Sequence, residues 1–140
     1  MKKSLKSLVA ALALTGAAQF ANAGVAIVVG ANSPLAAAPE GDVVKIFLGK
    51  KKDIGGSPVV PIDQAEGNNA RNDFYTNVVK KSEAQLKSYW SRLIFTGKGQ
   101  APQVVGGDTD VKGMVASNPN LIGYIDAGAV DGTVKVIYKQ

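Results

Sequence analysis

The chain has 140 residues, with 16 basic and 11 acidic side chains and neither cysteine nor histidine. Without those two residue types it has no disulfide, no thiol or imidazole nucleophile, no Ser-His-Asp arrangement and none of the commonest zinc or copper ligand sets. Any metal site would have to be built from oxygen alone.

Much of the positive charge lies at the start. Lys2, Lys3 and Lys6 form a basic n-region, Leu8 to Ala18 an apolar h-region, and Ala21-Asn22-Ala23 a small-x-small cleavage site. This pattern predicts a secretory signal peptide over residues 1–23 and a periplasmic chain from Gly24 to Gln140. The apolar run is too short to cross a bilayer, and no later stretch approaches the ~20 apolar residues of a membrane span, so no stable membrane insertion is expected after cleavage. The remaining 117 residues suit one domain; they carry 13 basic against 11 acidic residues, so the formal net charge falls from +5 to +2. The longest basic run, Lys50-Lys51-Lys52, reads as a solvated turn, and nucleic acid has little electrostatic support as a partner.

Val25 to Val29 is a continuous apolar run closed by Gly30, as expected of a strand buried on both faces in the middle of an α/β sheet. Asp42 is a plausible N-cap for a short helix that buries Val43, Ile46 and Phe47 and stops at Gly49. Gly55, Gly56 and Pro58 mark a turn, after which Val59 to Ile62 reads as a short strand, with Pro61 pointing to a strand end or a sheet edge. A helix capped by Asn68 or Asn69 should carry Arg71, Phe74, Tyr75 and Val78. The clearest helix begins at Ser82, where Gln85 completes a capping box, and it places Leu86, Tyr89, Trp90, Leu93 and Ile94 on one core-facing stripe.

Gly97, Gly99 and Pro102 end that helix and begin an exposed loop. Asp108 or Thr109 should cap a helix bearing Val111, Met114 and Val115 that stops at Asn118-Pro119. Leu121 to Ile125 reads as a strand and Thr133 to Tyr138 as a half-exposed one. Strands alternate with helices nearly throughout, which predicts an α/β fold of roughly four mostly parallel strands flanked by helices, with room for one antiparallel edge.

Catalytic signatures are weak. Gly49-Lys50 and Gly97-Lys98 lack the upstream glycine and the following Ser or Thr of a nucleotide phosphate loop. Asp108 with Asp110, and Asp126 with Asp131, sit where caps and turns favour Asp, so no catalytic residue, cofactor or enzymatic activity is expected. The stronger candidate is the loop from Asp63 to Arg71, because the N–H groups and dipole at a helix N-terminus favour an oxyanion. Gln64, Asn68, Asn69, Ala70 and Arg71 are the candidate ligand contacts, although an Asn at a helix start is equally explained as a cap. Arg71 and Arg92 are the only arginines and the natural anchors for an acidic group; Arg92 lies on the polar side of its helix, where a surface ion pair or a snorkelling stem accounts for it too.

The order Ile46-Phe47-Leu48-Gly49-Lys50, then Tyr89 to Gly99, then Ile122-Gly123-Tyr124-Ile125-Asp126 resembles the periplasmic phosphate-binding-protein-like family that serves ABC transporters. The resemblance implies one lobe of a type II periplasmic-binding-protein-like fold, since full-length relatives are two-lobed clamshells and the matched segments look like their C-terminal half. Such relatives typically carry Arg where this chain has Gln64, and Ser-Gly-Thr where it has Asn68-Asn69-Ala70. A lone lobe supplies half the contacts and cannot close over a ligand. The resemblance therefore implies a protein that binds phosphate or another small oxyanion weakly, or with the help of a homodimer, a transporter or another envelope protein. The alternative is a non-binding structural or interaction module that kept the fold.

Overall fold

The computed structural model describes residues 24–140, and the expected leader lies outside them. Its most completely buried strand is β1 (Val25–Gly30), in which every residue is buried. Alternation explains this: Val25, Ile27 and Val29 point into one apolar layer, while Ala26 and Val28 point into the other. The expectation of a strand buried on both faces therefore holds, although β1 lies one place in from the β7 edge rather than at the sheet's middle.

The main sheet has five strands rather than four, in the order β5-β4-β6-β1-β7, where β4 is Val60–Gln64, β5 Gln103–Gly106, β6 Leu121–Asp126 and β7 Val134–Lys139. β4 pairs parallel with both β5 and β6, whereas β1 runs antiparallel to both β6 and β7. Four strands thus share one direction, and the antiparallel strand lies inside the sheet, not at its edge. Asp53–Ile54 and Ser57–Pro58 form a separate two-stranded hairpin, β2 and β3, around the expected Gly55-Gly56 turn.

β5 falls in the stretch expected to be a loop. Pro61 is accommodated at the start of β4 because pairing there is to Ile122 alone, β5 joining only from Ile62 onward. Pro61 therefore marks a strand end and not a sheet edge.

On one face of the sheet lie α1 (Glu40–Phe47), α2 (Asn69–Asp73) with a π-helical continuation over Phe74–Val79, and α3 (Glu83–Phe95). On the other lies α4 (Asp108–Ser117). Helix α1 starts at Pro39 rather than Asp42, which sits in the first turn and pairs with Lys51 at 3.1 Å. Helix α4 starts at Gly107, one residue before the expected cap, and the Gly107 N–H donates to Asp110 Oδ2 at 3.0 Å. Close packing of α4 on the sheet explains Gly123: a Cβ there would come within 2.5 Å of Val111 Cγ1.

The capping box of Ser82 and Gln85 is present, and Leu86 and Trp90 are buried. Tyr89 and Leu93 are only partly covered, and Ile94 is exposed, contrary to its expected core position. Helix α3 outruns the core it packs on, so its last turn has helical spacing but nothing beneath it.

Candidate functional site

The parallel strands β4, β5 and β6 end side by side at Gln64, Gly106 and Asp126, and helices α2 and α4 begin just beyond two of those ends. In an open α/β sheet this is where ligands are held. A cleft of about 330 Å³ lies there, lined by Gln64, Asn68, Asn69, Ala70, Gly107, Asp108 and Asp126. Four of the five candidate contacts thus meet around one opening. Arg71 does not line it.

The first backbone bonds of the two helices run from Asn72 N–H to Asn68 O and from Val111 N–H to Gly107 O. The N–H groups of Asn69 and Ala70 on α2, and of Asp108 and Thr109 on α4, precede those bonds and lack intrahelical acceptors. The two helix starts are close enough that a Cβ on Gly107 would sit 3.7 Å from Asn68 Nδ2. Their positive dipole ends therefore converge on the same opening.

Most side-chain donors at the base of the cleft are already engaged. Gln64, 1% exposed, donates from Nε2 to Asp108 Oδ1 at 2.7 Å and to the Tyr124 carbonyl at 2.8 Å. Asn68 has the backbone conformation of an N-cap but forms no side-chain cap bond; its Nδ2 donates instead to the Gly106 carbonyl at 3.0 Å and to Gln64 Oε1 at 3.4 Å. It stitches α2 to the end of β5. Asn69 is exposed, so its amide is open to a ligand together with the backbone N–H groups. Asp108 also accepts from the Asp126 N–H at 3.2 Å.

Beneath the cleft is a buried polar cluster that the sequence did not signal. Asp63, 3% exposed, accepts from the hydroxyls of Tyr124 and Tyr75, the latter at 2.6 Å, and from the Gln64 N–H at 2.8 Å. Arg71, 8% exposed, reaches Asp63 at 3.0 Å and donates to the Gln64 carbonyl at 3.0 Å. Its other edge grips Glu83 with two bonds, Nε to Oε1 at 2.8 Å and Nη2 to Oε2 at 3.2 Å. Burial disfavours the Arg71 charge, but the hydrogen bond to Glu83 and the charge of Asp63 outweigh it, so the guanidinium is held charged more firmly than usual. Burial, followed by the Asp63 charge, pushes the Tyr75 and Tyr124 phenols well above their ordinary range. The Tyr124 ring stacks on Phe74 at 4.1 Å, which fixes the hydroxyl where Asp63 needs it.

The polar parts of this cluster were visible as residues, but their meeting was not. Asp63 and Tyr124 are 61 positions apart, and Arg71 and Glu83 lie on different helices. As the cleft stands, its donors are backbone N–H groups, helix dipoles and the Asn69 amide. Two carboxylates also face it, and they can accept a hydrogen bond only from a ligand that carries a proton.

No family profile and no curated protein sequence matches the chain. Solved structures do. A protein assigned as a phosphate ABC transporter substrate-binding protein from Clostridium perfringens, holding bound phosphate, superposes with a TM-score of 0.64 at 24% identity over 81% of this chain and 44% of its own. An ABC-type phosphate transport receptor from Vibrio cholerae gives 0.63 at 18% identity, over 81% and 45% of the two chains. PstS from Borrelia burgdorferi gives 0.56 at 14%, over 81% and 46%. The chain spans under half the length of these proteins, and among its described residues no helix is long and apolar enough to cross a membrane. At these identities the likeness shows the fold alone: this chain has the α/β fold of a single periplasmic-binding-protein-like lobe.

Proposed function

We propose that the protein is an exported oxyanion-binding protein that takes inorganic phosphate or a similar small oxyanion at the cleft between the starts of α2 and α4. The observation that carries this reading is the convergence of two helix N-termini at the carboxyl ends of parallel strands, in a fold shared with phosphate-binding transport proteins. Because no cationic side chain among the described residues lines the cleft and Arg71 is committed elsewhere, binding by the isolated chain is weak. A second copy or an envelope partner such as a transporter would complete it. Asp108 and Asp126 favour a proton-bearing anion, so phosphate should bind better than sulfate.

Calorimetric titration of the exported protein with phosphate and with sulfate tests this. Asn69→Asp adds a negative charge at a helix start, which the helix tolerates and an anion does not. The expected result is saturable phosphate binding that the variant abolishes while its urea midpoint is unchanged. Equal heats for both proteins would remove the site. N-terminal sequencing of the exported protein should begin at Gly24.

One observation favours a second reading. Gln64 and Asn68 at the base of the cleft find their hydrogen-bond partners within the protein, as a purely structural junction would require. An interaction module without a ligand is then what remains if titration is silent.

A further inference from the structure

Helix α3 has two unlike faces. Leu86 and Trp90 face the core, and the opposite side presents Ala84, Gln85, Ser88, Arg92 and Phe95 to solvent. Ala84, Ser88, Arg92 and Phe95 follow one another at three- or four-residue spacing, so they form a continuous strip. Phe95 closes the strip with its ring 92% exposed, the most exposed large apolar side chain among the described residues.

A groove of about 360 Å³ lies over the strip as far as Arg92, lined by the cationic Lys81 and Arg92, by Tyr89 and Gln85, and by the small side chains of Ala84 and Ser88. The Tyr89 hydroxyl donates to the Leu48 carbonyl at 2.6 Å, which fixes the ring in place. Two ammonium groups then share that ring, Lys81 Nζ at 5.5 Å and Lys50 Nζ at 6.0 Å from its centroid. Lys50, Lys81 and Arg92 form no salt bridge among the described residues. Two ammonium groups held at one aromatic ring, with Arg92 lining the same groove, repel one another, and a carboxylate placed among them would relieve that repulsion.

We propose that this outer face of α3 is a docking surface for an acidic segment of a partner protein, with carboxylates at Lys50, Lys81 and Arg92 and an apolar residue against Phe95. Unpaired Arg and aromatic side chains around a small-residue floor are the composition of an interface centre, and the charge sets the sign of the partner. A flat anionic membrane would meet the rim of the groove without filling it, which is why a polypeptide segment fits better. The surface is separate from the cleft, so the two can succeed or fail independently.

The test is fluorescence anisotropy of a labelled synthetic peptide alternating glutamate pairs with leucines, titrated with the full protein at low and physiological salt. Arg92→Glu should weaken binding roughly tenfold or more, with the loss smaller at high salt. Phe95→Ser should weaken it several-fold at both salts. Lys139→Glu, on the edge strand β7 and carrying the same charge change as Arg92→Glu, should leave it within about twofold. Equal losses for Arg92→Glu and Lys139→Glu would mean net charge alone is being read and would overturn the proposal. So would binding to phosphatidylglycerol vesicles without binding to the peptide. All three positions are exposed, so circular dichroism should report an unchanged fold.

Discussion

The two arginines of this chain have opposite fates. Arg71 is 8% exposed and spends its guanidinium on Asp63, the Gln64 carbonyl and Glu83, whereas Arg92 lies on the open side of α3 and forms no salt bridge among the described residues. Both have the same intrinsic capacity for planar, bidentate recognition. The difference teaches that an arginine marks a binding site only where the fold has left its donors unspent. Arg71 holds the floor of the cleft together; Arg92 is available to something outside.

The largest expected effect comes from breaking the inner partner set. Arg71→Met should cost about 3–5 kcal/mol, because it strands Asp63 in the interior with its charge uncompensated. Urea melts measure this. A loss within 1 kcal/mol would mean water reaches Asp63 and the inner cluster is not dry.

Trp90→Ala tests the other anchor of the inner side, where the indole packs with Leu86 under α3. Its removal should cost about 3–5 kcal/mol in the same melts. If it costs far less than Arg71→Met, charge pairing rather than apolar packing holds α3 to the sheet.

A smaller, pH-dependent effect sharpens the contrast. The hydrogen bond from Arg71 holds the Glu83 carboxyl below its ordinary value of 4.5, partly offset by burial. A depressed carboxyl adds stability that is present above its unfolded pKa and lost as pH falls through the folded value. The native protein should therefore lose stability on acidification below about 4.5, and Glu83→Gln should flatten that part of the curve. Thermal melts across the acid range decide it; parallel curves would show that the Arg71–Glu83 grip adds nothing.

The smallest effect is expected outside. Arg92→Met should change stability by no more than about 0.5 kcal/mol, since it removes no internal contact. A loss above 1 kcal/mol in a urea melt would give Arg92 an internal role and erase the distinction.

Local pattern carried much of the architecture. The unbroken apolar run of β1, the Ser82–Gln85 box and the stripe of α3 as far as Trp90 depend on neighbours in sequence, and each is where periodicity put it. The resemblance likewise led to the fold that the solved structures share. What failed locally failed for identifiable reasons. β5 is four residues long, at a sheet edge and half-exposed, so it lacks the alternation that would distinguish it from loop. Ile94 keeps helical spacing beyond the end of the core, where spacing no longer implies burial.

The sequence by itself determined the longer elements, such as β1, α3 and α4, and the apolar faces they bury, because those properties follow from side-chain volume, backbone preference and a period of a few residues. Only the tertiary structure decided what the polar residues do. It drew Gln64, Asn68, Asn69 and Ala70 around one cleft, turned Arg71 away from it into a cluster with Asp63 and Glu83, and left Arg92 beside Lys81 on an open groove. Hydrogen bonds and ion pairs act over a few ångströms but join residues up to 61 positions apart in the cluster beneath the cleft, so no short window of sequence contains both partners.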